Sequence, residues 1–457
     1  MKKSFVLVLV LLLLLLNQSA VAGQEVRTNS PLGAAEGIQE KFAQKEGIQV
    51  ISSSVDYQTT SDFFQLILTQ SLPLDIMRLG TSNLDVQRIM EKGYCVDLSD
   101  SEELAAYADT LHDTVRNQVS HGGRLFALPN DIFFQCYEFD PYGWEDASYE
   151  MGEIPDTFPK FLDFLEDWCR HLEERELRTC HLKSSWDYTI YNQFTYSTFL
   201  TELLLKQHML QTFHAGESLS FNQPELVNLL NRCLKIGKRL YEDEDPIGEF
   251  DDGSVHSSLI KQSWPVKFPA NPSLILYLPL NDQQPKLIEA DMGMAAIPSS
   301  SAMKAEALQY FTYVAREPWG KDSFFKAYLY KTAEPIPDPN YESSRSVLLE
   351  QIAQAQKSLD AGERADEFGY SLEQKIDSNR RLLEQLSPYL ISPETLAAYK
   401  SLTDRLVFPK PTIFWEDKEN RSTYRDYIAQ FAAEQMSAEE LLSRLDQLAR
   451  MMELEGK

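Results

Sequence analysis

Two kinds of side chain in this sequence have the types and spacing for ligand chemistry. The first kind is polar groups at the ends of apolar runs. The run from Leu74 to Gly80 stops at a glycine and is followed by Thr81, Ser82 and Asn83. Arg78, Thr81 and Ser82 are thereby placed near the carboxyl end of an expected strand, where open α/β sheets bind ligands. A second apolar approach, Gly122 to Pro129, leads into Asn130 and Asp131. The other kind is flat rings. Trp186, Asp187 and Tyr188 lie in a stretch from Ser184 to Asn192 that is dense in aromatic and hydrogen-bonding groups but has no clean period. Trp264 ends the run from Ser257, directly before Pro265, and Trp415 follows Pro409 and Pro411 on a turn-like stretch. Rings set beside carboxylate, hydroxyl and amide groups suit a ligand with an apolar face and a polar rim. For Trp186 and Tyr188 ordinary core packing at a helix start is the competing reading.

Other chemistries find less support. Five cysteines (Cys95, Cys136, Cys169, Cys180 and Cys233) make an odd number without a C-x-x-C, so they read mostly as buried small hydrophobes, with Cys169 and Cys180, which bracket a short connection, as the one candidate pair. Seven histidines include no H-E-x-x-H, and the acidic runs 242–245 and 249–252 fit no EF-hand, so no metal is indicated. G-x-S-x-G and P-loop motifs are absent. With 69 acidic side chains a chance carboxylate pair is nearly guaranteed, and their number is no argument for glycoside cleavage. The net charge of −26 makes nucleic acid and anionic membrane surfaces poor partners.

The elements that must position these residues follow from hydrophobic patterning. Lys2 and Lys3 precede an apolar run from Phe5 to Leu16, then Ala20, Val21 and Ala22, which is the layout of a secretory signal peptide over 1–22. Its apolar run is shorter than the roughly 20 residues that span a bilayer. The remaining length exceeds what one core supports, so two lobes or more are expected. Phe161, Leu165, Trp168 and Leu172 recur at helical spacing behind Thr157, a natural N-cap, and Trp168 is read as core. Ser220 to Glu225 caps a helix carrying Leu226, Leu230 and Cys233. Ser437 and Glu440 form a capping box before the stripe Leu441, Leu445, Leu448 and Met452.

Several of these segments, in order, resemble one family. "Asp-Ile", "Lys-Gly-Tyr" at 92–94, "Asp-Leu-Ser" at 97–99, "Gly-x-Leu-x-Ala-Leu-Pro" at 123–129, the Thr157 helix, "Ala-Ile-Pro-Ser-Ser" at 296–300 and "Gln-Met-Ser-Ala-Glu-Glu-Leu-Leu" at 435–442 are similar to the extracellular solute-binding proteins of ABC sugar importers. The resemblance implies an α/β, two-lobed periplasmic-binding-protein-like fold of type II, maltodextrin-binding-like, with a helical C-terminal region. It implies a first lobe of 23–131 plus 290–332 and a second of 132–289 plus 333–457, with crossings near Asn130, Gly293 and Pro335. Where the family begins with an apolar strand, only Glu25 to Asn29 is available here. In this setting Arg78, Thr81, Ser82, Asn130, Asp131, Trp186, Asp187, Tyr188, Trp264 and Trp415 would contact a carbohydrate held between the lobes. No catalytic residue, cofactor or metal is implied. The implied partner is a membrane permease of an ABC transporter, and the implied protein is a monomer on the periplasmic or extracellular side. A ligand-loaded sensor partner and a secreted glycoside-acting enzyme remain the alternatives.

Overall fold

A computed structural model describes residues 24–29, 37–55, 60–81, 84–139, 153–173, 180–183, 195–243, 257–263, 275–316, 329–365, 371–408 and 418–454. Residues 1–22, expected as a leader, lie outside them. Strand β1 (Gln24–Thr28) pairs in parallel with β2 (Ile48–Ser52), matching Val26 to Val50. The helix Ile38–Glu46 joins them and buries Ile38 and Phe42. The first strand therefore forms, although its one apolar residue is Val26. Its alternation leaves Val26 and Thr28 both fully buried, and the parallel partner supplies the backbone pairing that composition alone does not suggest.

After β3 (Met77–Gly80) come the short hairpin β4 (Ser120–His121) and β5 (Arg124–Leu125), then β6 (Ala127–Phe139), the longest strand. Farther along are β7 (Cys180–Lys183), β8 (Ser257–Ser263) and β9 (Ile288–Ala296). The chain closes its strand set with β10 (Ile336–Pro337), β11 (Tyr389–Ile391) and β12 (Leu406–Val407). The main sheet runs β12-β9-β6-β8-β7, and β3 lies antiparallel on the same edge of β9 as β12. β6 and β9 pair antiparallel over most of their length.

Two separate cores flank this pair. The first gathers Val26, Phe42, Ile76, Leu79, Leu98, Leu128, Met292 and Phe311. The second gathers Phe158, Leu165, Trp168, Leu204, Leu230, Ile428 and Leu445. β6 passes from Ile132 and Cys136 in the first core to Phe139 in the second, and the chain returns between Leu280 and Ile288. The fold is thus mixed helix and sheet in two lobes.

The third crossing differs from the expected one. Ile336 is buried in the first core, and β10 pairs antiparallel with β11. Helices Tyr341–Asp360 and Leu372–Gln385 then pack on each other around Ala355, Leu372 and Ile376. Helix Pro393–Thr403 returns Leu396, Tyr399 and Leu402 to the first core, and Phe408 follows them there. Only at Tyr424 has the chain reached the second core. Residues 391–408, expected with the second lobe, pack in the first. The prolines from 335 to 339 forbid a helix there, but Pro337 is accommodated in a two-residue strand with one partner, where a missing N–H costs little.

The helical segments read from periodicity form as expected. The Lys160 amide donates to Thr157 Oγ1 at 3.4 Å, opening helix Phe158–Glu173, and Phe161, Leu165 and Trp168 are fully buried. The Glu440 amide donates to Ser437 Oγ at 3.2 Å, and Leu441, Leu445 and Leu448 line the buried side of helix Ala438–Leu454. Cys95, Cys136, Cys169 and Cys233 are buried, and burial pushes the Cys95 thiol up to about 12, far from a reactive thiolate. Among the described residues no helix is long and apolar enough to cross a membrane.

Candidate binding cleft

β9 carries Glu289, Asp291 and Gly293 on one face, while Ile288, Ala290, Met292 and Met294 point into the first core. Its neighbours are in register with that polar face. On β6, Asp131 stands opposite Gly293 and Phe133 opposite Asp291; on β3, Gly80 stands opposite Gly293. The β6 register shifts between Pro129 and Asp131. Pro129 has no N–H to give the ladder, and the extra residue in the bulge sets Asn130 beside Asp131 instead of alternating away from it.

The bulge creates a tight polar cluster. Arg78 Nη2 donates to Asp131 Oδ2 at 2.9 Å, and Asn130 Nδ2 donates to the same oxygen at 3.1 Å. The Gly293 amide donates to Asp131 Oδ1 at 3.0 Å. The Arg78 amide in turn donates to Asn29 Oδ1 at 2.8 Å, which ties the loop after β1 to the same place. The Asp131 side chain is 14% exposed and that of Arg78 47%, so the carboxylate is the anchor and the guanidinium is the group offered outward. Burial pushes the Asp131 carboxyl above its ordinary range, opposed by Arg78, the Gly293 amide and Asn130, while Asp291 pushes the same way as burial. Gly293 has no alternative here: a Cβ on it would stand 2.1 Å from Asp131 Oδ1 and 3.2 Å from Arg78 Nη2.

Thr81 is fixed one step along. Its hydroxyl donates to Asp291 Oδ1 at 2.9 Å and accepts from the Met292 amide at 2.9 Å, while its own amide donates to the Met292 carbonyl at 3.1 Å. Thr81 also lines a cavity of about 270 Å3 whose other walls include Asp85 and Gln87 from the first lobe and Phe213 and His214 from helix Thr195–Ala215, which packs in the second. Farther along the same face of β9, Glu289 pairs with Lys206 of that helix at 2.8 Å. A row of donors and acceptors therefore runs where the lobes meet, its members oriented by backbone amides and by each other.

The structure brings Arg78, Thr81, Asn130 and Asp131 together. Ser82, Trp186, Asp187, Tyr188, Trp264 and Trp415 lie outside the described residues. Asp291, Gly293, Glu289 and Lys206 are additions that sequence reasoning missed. A signal existed for three of them: Glu289, Asp291 and Gly293 alternate with apolar residues at the two-residue period of a strand with one polar face. Among the described residues no group of three or more His, Cys, Asp or Glu is placed to hold a metal ion. The arrangement provides fixed, geometrically defined hydrogen bonding for a polar ligand.

No protein-family model and no curated protein matches the chain. Solved structures do. A cyclic alpha-maltosyl-1,6-maltose binding protein from Arthrobacter globiformis aligns at a TM-score of 0.50 and 14% identity, covering 93% of this chain and 97% of that one. An ABC substrate-binding protein from Listeria monocytogenes in complex with cycloalternan aligns at 0.49 and 12% identity, covering 94% and 98%. An ABC transporter solute-binding protein from Thermotoga lettingae bound with alpha-D-tagatose aligns at 0.49 and 13% identity, covering 93% and 98%. The likeness to the Arthrobacter protein, spanning nearly the whole of both chains, shows a shared two-lobed fold.

Proposed function

We propose that this chain is an extracytoplasmic solute-binding protein that captures a carbohydrate reversibly between its lobes and delivers it to an ABC permease. The observation that carries the reading is the polar row of Arg78, Asp131, Thr81 and Asp291 along the meeting line of two separately cored lobes. Its fold is shared with a protein named for binding a cyclic maltosyl-maltose. Fixed donors and acceptors of this kind match the hydroxyl rim of a sugar. In this reading Arg78, Thr81, Ser82, Asn130 and Asp131 supply polar contacts to the ligand, and Trp186, Asp187, Tyr188, Trp264 and Trp415 supply rings and further polar partners. The protein acts as a monomer, is exported by residues 1–22, and carries out no chemistry on its ligand.

A thermal-shift screen of the purified protein against mono- and oligosaccharides tests this. A ligand at 100 times its Kd adds about 2.7 kcal/mol of stability. Stabilisation by one class of sugar, with the sugar recovered intact, is the expected outcome. Cleavage of a glycoside in the same tubes would replace binding with catalysis, and no shift with any carbohydrate would remove the sugar assignment.

A further inference from the structure

A second cavity, of about 340 Å3, opens on the seam between the lobes, and none of its lining residues belongs to the Arg78 and Asp131 cluster. Ile154, which packs against the second core, forms one wall, and Leu402 of the first core forms another. Two cations approach the Tyr277 ring: Arg405 lies 5.1 Å from its centroid and Lys286 lies 6.0 Å from it. These cations differ in what already satisfies them. Lys286 donates to Asp156 Oδ2 at 2.9 Å, and Lys160 holds the other oxygen of that carboxylate at 2.8 Å. Arg405 has no carboxylate partner among the described residues.

We propose that this seam cavity binds a small carboxylate with an apolar body, its carboxylate on Arg405 and its body against Ile154 and Leu402. The chemistry follows from the walls. The Arg405 guanidinium donates one hydrogen bond to the Tyr277 hydroxyl, and its remaining in-plane N–H groups match a carboxylate in the bidentate geometry that a point-charge ammonium does not offer. Burial raises Tyr277 above its ordinary value, outweighing the charge of Arg405 and the hydrogen bond its guanidinium donates to the phenol oxygen, so the O–H stays on the phenol as a donor. Ile275 and Pro155 extend the apolar lining, which disfavours a bare inorganic anion. The volume suits a ligand of small-molecule size. In a chain of net charge −26 an anion is held only where local cations outweigh the overall field, so binding here should be specific to this pair. Because the walls come from both lobes, the occupant favours whichever interlobe arrangement keeps them together. The proposal does not depend on what the main cleft binds.

Isothermal titration of the purified protein with benzoate, its neutral isostere benzamide and inorganic phosphate tests it. Benzoate should bind saturably and benzamide at least about 10-fold more weakly, since a hydrogen bond to a charged group carries that much discrimination. Arg405→Gln should weaken benzoate by a similar factor and Arg405→Lys by less. Ala398→Leu, which fills the cavity without touching a charge, should abolish benzoate binding while the melting temperature holds; this variant decides the matter if Arg405→Gln fails to fold. No benzoate binding by the unaltered protein, equal binding by Ala398→Leu, or phosphate binding tighter than benzoate would overturn the assignment.

Discussion

Asp131 reaches Gly293 and Arg78 with different oxygens: Oδ1 accepts from the Gly293 amide at 3.0 Å and Oδ2 accepts from Arg78 Nη2 at 2.9 Å. Asp131 sits on β6, Gly293 on β9 and Arg78 on β3, so one carboxylate binds three adjacent strands. Two of these, β6 and β9, lead the chain between the lobes. The candidate site and the hinge strands therefore share a polar anchor, and a change at one is felt at the other.

The first consequence concerns Gly293. A methyl at this position would fall 2.1 Å from Asp131 Oδ1, too close for any contact, and would crowd Arg78 at 3.2 Å. Gly293→Ala should displace the carboxylate, lose the Gly293 amide bond and lower stability by about 1 to 3 kcal/mol, as overpacking does. The same change made in Asp131→Ala should cost much less, because the obstructing group is gone. Equal costs in the two backgrounds, read as a double-mutant cycle in denaturant melts, would show that the carboxylate is not what excludes a side chain.

Two carboxylates should give opposite pH responses. Burial raises the Asp131 pKa in the folded chain, so its contribution is fully present below the ordinary carboxylate range and is lost as pH rises through the raised value. Asp156 is the reverse. Hydrogen bonds from Lys160 and Lys286 hold it down to about 2, so its contribution is present above the ordinary range and is lost as pH falls toward 2. From neutral pH downward, the parent protein should gain on Asp131→Asn and lose on Asp156→Asn. The Asp156 effect should be the more salt-sensitive, since that side chain is 40% exposed. Melting curves of both variants from pH 7 to pH 3 make the comparison, and slopes of one sign would refute it.

How much of this was legible in the sequence depends on the range of the interaction. Phe161, Leu165 and Trp168, and the Ser437 cap with its leucine stripe, were readable because a helix writes its buried face into a local period. The Arg78 and Asp131 pair is 53 residues apart and Asp131 and Gly293 are 162 apart, and no local pattern encodes such a pairing. Polar residues at strand ends could be flagged, and Arg78, Thr81, Asn130 and Asp131 do converge, but the acceptor Asp291 lies in the middle of β9, where no strand end marks it. The third crossing was misplaced for a related reason. Prolines at 335, 337 and 339 say where a helix cannot run; that Ile336 is buried against the first core is decided by β11, more than 50 residues later.

Trp168 gives a prediction for the second core alone. It is fully buried among Phe161, Leu165 and Cys233 of the same core. Trp168→Ala should cost about 3 to 5 kcal/mol through the cavity it leaves. Carbohydrate affinity in the protein that remains folded should be unchanged, because none of the cleft contacts involves it. A loss of affinity larger than the loss of folded protein would move Trp168 from the core to the site.

The last prediction concerns what holds the lobes in the present arrangement. Lys206 belongs to a helix of the second lobe and Glu289 to β9, and their pair at 2.8 Å spans the junction with side chains 28% and 18% exposed. Partly buried pairs are screened less than surface ones, and removing one partner leaves the other charge poorly solvated. Lys206→Met should therefore loosen the junction, raising the radius of gyration of the unliganded protein in small-angle scattering while the melting transition stays cooperative. Glu289→Gln should do the same, and the double change should do no more than either alone, with a coupling of about 1 kcal/mol in stability. Adding a carbohydrate that binds should then bring the radius of parent and variants to the same smaller value, because hinge closure around a ligand supplies contacts that replace the pair. A radius that does not respond to Lys206→Met, or variants that stay expanded when saturated, would show that the pair neither holds the junction nor lies on the path of closure.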